Sequence, residues 1–190
     1  VPAVYRKQLA SGLYVRKFDR YLNADSGGSH SGTNDDPGRL EGYLDTSWSG
    51  EGAITTVNRS GLIDTLDTHV VCGVFLPNAT GTWNFRIRAD DAGYIWVGAN
   101  AEPLEWDLNK DNAVGDAGGA HGETNGDGSV SLTAGVYYAI KAMVGDRGGG
   151  DAFRIDFKGP GEGSLSNTGR DGTGFYFHNP YAPNGYNLNS

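Results

Sequence analysis

Two adjacent carboxylates, Asp90 and Asp91, stand between segments with strand-like alternation in the stretch FRIRADDAGYIWVGAN, Phe85 to Asn100. A second acidic stretch, MVGDRGGGDAFRI from Met143 to Ile155, sets Asp146 and Asp151 around Arg147 and three consecutive glycines. Carboxylates are hard oxygen donors. A triple glycine lets the backbone turn its carbonyl oxygens inward, so these residue types suit a Ca²⁺ ion. Neighbouring side chains of an extended trans chain point to opposite faces, so Asp90 and Asp91 act together only if the backbone departs from that geometry. The same residues also suit solvated turns, and at this point both readings stand open.

Other chemistry finds no support. There is no G-x-S-x-G, Walker loop or dinucleotide fingerprint, and His30, His69, His121 and His178 share no spacing that suggests a triad or metal site. DNAVGDAGG lacks the alternating ligands and closing Glu of an EF-hand. Glycosidases need two carboxyl groups about 5 to 9 Å apart across a sugar, which adjacent aspartates do not naturally give. Asp35-Asp36 precedes Pro37-Gly38 and reads as a turn. No enzymatic activity is expected.

The elements that must position these residues read as strands. HVVCGVFLP is an apolar run closed by Pro77; GTWNFRIRA puts Trp83, Phe85 and Ile87 on one face; YIWVG follows the acidic pair. SVSLTAGVYYAIKAMVG gives two strands about Ala134-Gly135, and AFRIDFKG another with Phe153, Ile155 and Phe157 inward. On this pattern the two acidic stretches are hairpin tips that meet at one end of a sandwich. The polar segments 25–38 and 109–128 are loops, and FYFHNPYAPNGYNLNS ends the chain as a strand or packed tail. Cys72 is the single cysteine and reads as a small buried hydrophobe.

With 31 Gly, ten Tyr and four Trp in 190 residues, the composition is that of many short strands joined by turns. We expect one all-β domain spanning 1–190, a sandwich or jelly-roll-like barrel with long loops. A net charge of −8 disfavours nucleic acid and anionic membranes as partners and favours divalent cations and neutral ligands. No apolar run is long enough for a membrane helix, and the composition suits an extracellular or cell-surface protein. The Asn-x-Ser/Thr patterns at Asn58 and Asn78 are too short to decide localisation.

DDAGYIWVG followed by YYAIKAMVGDRGGGDAFRIDF resembles the PA14 domain, in particular the calcium-dependent lectin branch of flocculins, fungal epithelial adhesins and large bacterial RTX-type surface adhesins. The resemblance runs from GLYVRKFDRY to RIDFKG. In that branch a cis peptide bond joins the acidic pair and turns both carboxylates to one side. Carried over, this implies Asp90 and Asp91 as side-chain ligands of Ca²⁺, with Asp146 as the third side chain and Gly148 and Gly150 as backbone carbonyl ligands. Asp146 stands where the branch usually has Asn, which adds a negative charge or moves the ligand role to Asp151. The resemblance further implies that vicinal hydroxyls of terminal sugars of glucose, mannose or fucose type complete the ion. Asp90, Asp91, Arg147 and Asp151 would then touch the sugar, and Trp106 offers either a stacking ring or a loop anchor. The expected protein is a monomeric module of a larger multidomain adhesin that binds cell-surface or polysaccharide glycans. A calcium-stabilised spacer without sugar binding is the alternative.

Overall fold

The computed structural model describes residues 9–22, 49–54, 57–59, 66–101, 109–118, 121–166 and 175–178. Twelve strands are defined among them: β1 (Leu9–Ser11), β2 (Leu13–Phe18), β3 (Gly50–Ile54), β4 (Asn58–Arg59), β5 (Asp67–Phe75), β6 (Gly81–Asp90), β7 (Ala92–Val97), β8 (Gly115–Asp116), β9 (Thr124–Leu132), β10 (Tyr138–Asp146), β11 (Ala152–Lys158) and β12 (Phe175–His178). Eight form one antiparallel sheet in the order β1-β12-β5-β10-β7-β8, with β2 and β3 added beside β5. The other four form a second antiparallel sheet, β4-β11-β6-β9. The expected all-β sandwich is thus the fold.

Alternation builds the core between the sheets. Trp83, Phe85, Ile87 and Ala89 of β6 and Phe153, Ile155 and Phe157 of β11 are buried against Val71 and Phe75 of β5, Ile95 and Val97 of β7 and Ile140, Ala142 and Val144 of β10. At one end Phe75 meets the rings of Trp83, Phe85 and Phe157 edge-on, with centroids 5.1, 5.2 and 5.3 Å apart. Such pairs contribute about 0.5–1.5 kcal/mol each beyond their burial. The outer face of the larger sheet carries a second apolar cluster that includes Phe18, Val70, Tyr94, Trp96 and Met143. Cys72 has the parity of that outer face and is half-buried rather than part of the core. Burial still pushes its thiol up to about 11.

Glycines close one edge of the sandwich. A Cβ on Gly126 would lie 2.3 Å from the backbone of Asp116, and one on Gly128 would lie 1.5 Å from the Val114 carbonyl oxygen. Only residues without a side chain let β9 run this close to the segment around β8. Residues 124–128, read from sequence as loop, are therefore strand, because β6 supplies a hydrogen-bonding partner along the whole of β9.

The strands joined by the acidic stretches do not pair with each other. β6 pairs with β9 and β11, whereas β7 pairs with β8 and β10. β10 and β11 likewise lie in different sheets. The expected hairpin tips are instead corners where the chain crosses between sheets. The stretch 25–38 and Trp106 lie outside the described residues.

Candidate functional site

Three crossings stand side by side at one end of the sandwich. The first is the Asp90-Asp91 corner, whose peptide bond is cis. The second, residues 147–151, lies against it: Gly145 pairs with Ala92 in the larger sheet, and Ala152 with Asp90 in the smaller. The third leads from β8 to β9 on the other flank and is described at 117–118 and 121–123; the Ala117 N–H donates to Gly93 O at 2.8 Å and Thr124 pairs with Ala89. The acidic corner is therefore central because its two strands neighbour the strands of both other crossings.

Backbone donors fix the carboxylates. The Arg147 N–H donates to Asp91 Oδ2 at 2.6 Å, and the Gly148 N–H to Asp146 Oδ1 at 2.6 Å. The Asp91 N–H donates to Gly145 O at 3.1 Å, and the Leu66 N–H to Asp146 O at 2.9 Å. Asp91 and Asp146 are buried, at 6% and 2% exposure. Gly148 and Gly149 take φ of 143° and 108°, a region side-chain-bearing residues rarely enter, so the triple glycine is what lets the crossing turn back on Asp146. A Cβ on Gly150 would stand 3.3 Å from Asp90 Oδ2, which brings the end of that crossing against the acidic corner. The Arg147 side chain is exposed, and Asp151 is half-buried.

Burial, then the like charges of Asp91 and Asp151, hold the Asp90 carboxyl above its ordinary range, with His121 opposing. Asp146 is pushed up to about 6: burial acts most, the Gly148 N–H opposes it, and Asp91, Asp151 and Asp90 add to it. Four carboxylates thus lie within one another's field. Among the described residues no group of three or more His, Cys, Asp or Glu side chains stands at metal-holding spacing. All the side-chain donors are hard oxygens, and their shared negative field fits a divalent cation of the Ca²⁺ kind.

His121 belongs to this neighbourhood although its sequence context gave no sign of it. Its Nδ1 faces Gly122 O at 2.7 Å and its Nε2 faces Ala117 O, an arrangement that only the doubly protonated ring satisfies with two donors. Burial disfavours its charge most, yet the carbonyls of Ala117, Gly122, Gly118 and His121 together hold its pKa above the ordinary value. It forms the one cationic influence on Asp90 among the causes acting there. Only the topology, which sets residues 121–123 ahead of β9 and so next to the corner, could have found it.

A family model described as the GLEYA domain matches residues 68–159, the span from β5 to the end of β11. Among solved structures, the chain is similar to the A domain of epithelial adhesin 9 from Candida glabrata in complex with Galb1-4GlcNAc, with 19% identity, TM-score 0.65, and 92% of this chain and 93% of that one covered. It is similar to the A domain of epithelial adhesin 6 from Candida glabrata in complex with Galb1-3GlcNAc, with 21% identity, TM-score 0.67, and 91% and 89% covered. A PA14 sugar-binding domain from an RTX adhesin matches with 17% identity, TM-score 0.61, and 82% and 93% covered. No curated protein sequence matches the chain. The fold is PA14-like, as the sequence resemblance implied.

Proposed function

We propose that the protein is a calcium-dependent carbohydrate-binding module of a cell-surface adhesin. The observation that carries this reading is the meeting of the Asp90-Asp91 corner and the Asp146 crossing, which gathers four carboxylates at one end of the sandwich. The similar structures support it: two are adhesin domains in complex with disaccharides, and one is a sugar-binding domain. Asp90, Asp91 and Asp146 would hold Ca²⁺ by their side chains, with the backbone of Gly148 and Gly150 beside them. The ion supplies positive charge and open coordination positions. About two of roughly seven positions are left for a pair of vicinal hydroxyls. Asp151 and Arg147, on the same crossing, would meet the rest of the sugar. The reaction is recognition only; weak single-site affinity on a glycan surface gains from multivalency.

Retention on glucose-, mannose-, fucose- and galactose-bearing resins in millimolar Ca²⁺, followed by elution with EDTA and separately with free monosaccharide, tests this. Release by both is the expected result. If no resin in the panel retains the protein while Ca²⁺ still raises its melting temperature, the module is a calcium-stabilised spacer.

A further inference from the structure

The acidic row does not end at the crossings. Asp67, the first residue of β5, pairs directly with Asp146 of β10, and the next pairing, Gly145 with Ala92, sets Asp91, the residue just before β7, beside Asp146. Directly opposed residues share a face of the sheet. On that face Val71 and Phe75, Ala142 and Val144, and Ile95 form the intersheet core, so Asp67, Asp146 and Asp91 continue it to its rim. Lys17 does the same for β2, following Leu13 and Val15. Its Nζ lies 2.7 Å from Asp67 Oδ2, with the Asp67 side chain 6% exposed. Across the neighbouring strands β2, β5 and β10 and the entry to β7, Lys17, Asp67, Asp146 and Asp91 thus follow in that order.

We infer that Asp67 is a positioning residue for the cation site: it holds the Lys17 ammonium one strand away from Asp146, so that Asp146 meets a divalent ion instead of a lysine. This rests on the calcium reading above. A lysine is a compact charge on a flexible four-carbon stem. Without Asp67, the next carboxylate along the inner face among the described residues is Asp146. Asp19, 3.8 Å from Lys17 Nζ, is exposed and a weak competitor for it. The ammonium then opposes Ca²⁺. Without Lys17, the buried Asp67 carboxylate loses its counter-charge and the fold loses stability, while the field at Asp146 grows more negative and favours the ion. The two halves of one ion pair therefore act with the same sign on melting temperature and with opposite signs on cation affinity. A purely structural pair would weaken both together.

Calorimetric titration with Ca²⁺ alone, beside thermal melts in EDTA, reads both quantities on the full chain. Asp67→Asn is expected to lower Ca²⁺ affinity about tenfold and Lys17→Met to raise it by a factor of about three or more, from charge interactions at the effective dielectric of a protein rim. Both lower the EDTA melting temperature, Lys17→Arg retains the parent affinity, and the double variant Asp67→Asn/Lys17→Met returns toward it. Affinity shifts of the same sign in the two single variants, or none in either, overturn the inference and leave the calcium reading standing. Absence of Ca²⁺ binding by the parent chain overturns both.

Discussion

Asp146 shows at the scale of one residue how the proposed site would couple cation, proton and fold. Its carboxyl titrates near 6 because burial and then its acidic neighbours resist the charge, against the pull of the Gly148 N–H. A carboxyl raised in the fold above its unfolded value of 3.8 takes up a proton on folding between the two. Its contribution is fully present below about pH 4 and is lost as pH rises through about 6. In EDTA, this group therefore makes the protein less stable at neutral pH than at pH 5. On the calcium reading proposed above, Ca²⁺ would replace the proton as counter-charge, so its stabilising effect would grow in the same window. The melting-temperature increment from 1 mM Ca²⁺ should be larger at pH 7.5 than at pH 5; equal increments would remove Asp146 from the ligand set.

At the scale of elements, the crossings and the glycine-lined edge carry what strands alone do not explain. Gly128→Ala puts a Cβ onto the Val114 carbonyl, forcing β9 and the segment before β8 apart, at a cost of about 1–3 kcal/mol. Gly122, with open space where its Cβ would stand, should tolerate Ala within about 0.5 kcal/mol. Urea unfolding of the two variants distinguishes a packing constraint from a general intolerance of substitution. The same elements show what the sequence could and could not reveal. The alternation of Trp83, Phe85 and Ile87 and of Phe153, Ile155 and Phe157 identifies buried faces, because side chains alternate along any strand. That period does not say which strand lies alongside. Tight sequence spacing made β6-β7 and β10-β11 look like hairpins, whereas each pair divides between sheets. Asp90, Asp91 and Asp146 were singled out through residue type and family resemblance, and the structure brings their segments together at one end of the sandwich. Lys17, Asp67 and His121 come from distant segments, and only the strand order brings them to the same end.

Across the whole molecule the sandwich has two chemically distinct poles. Phe75, Trp83, Phe85 and Phe157 pack at one, and the acidic crossings sit at the other, at the far ends of β5 and β6. The aromatic pole stabilises the fold with no ionised group, so stability and cation binding should separate by substitution. Phe75→Ala removes a ring in contact with three others and should cost about 3–5 kcal/mol, while the increment from saturating Ca²⁺ stays that of the parent. Asp91→Ala should remove that increment and leave a folded chain. At a Ca²⁺ concentration of 100 times Kd the increment is about 2.7 kcal/mol by mass action. Denaturant titrations of the three proteins, each with Ca²⁺ and with EDTA, form the comparison. If Phe75→Ala also abolished the increment, the poles would be one cooperative unit, and the acidic crossings would depend on core packing along the full length of β5 and β6.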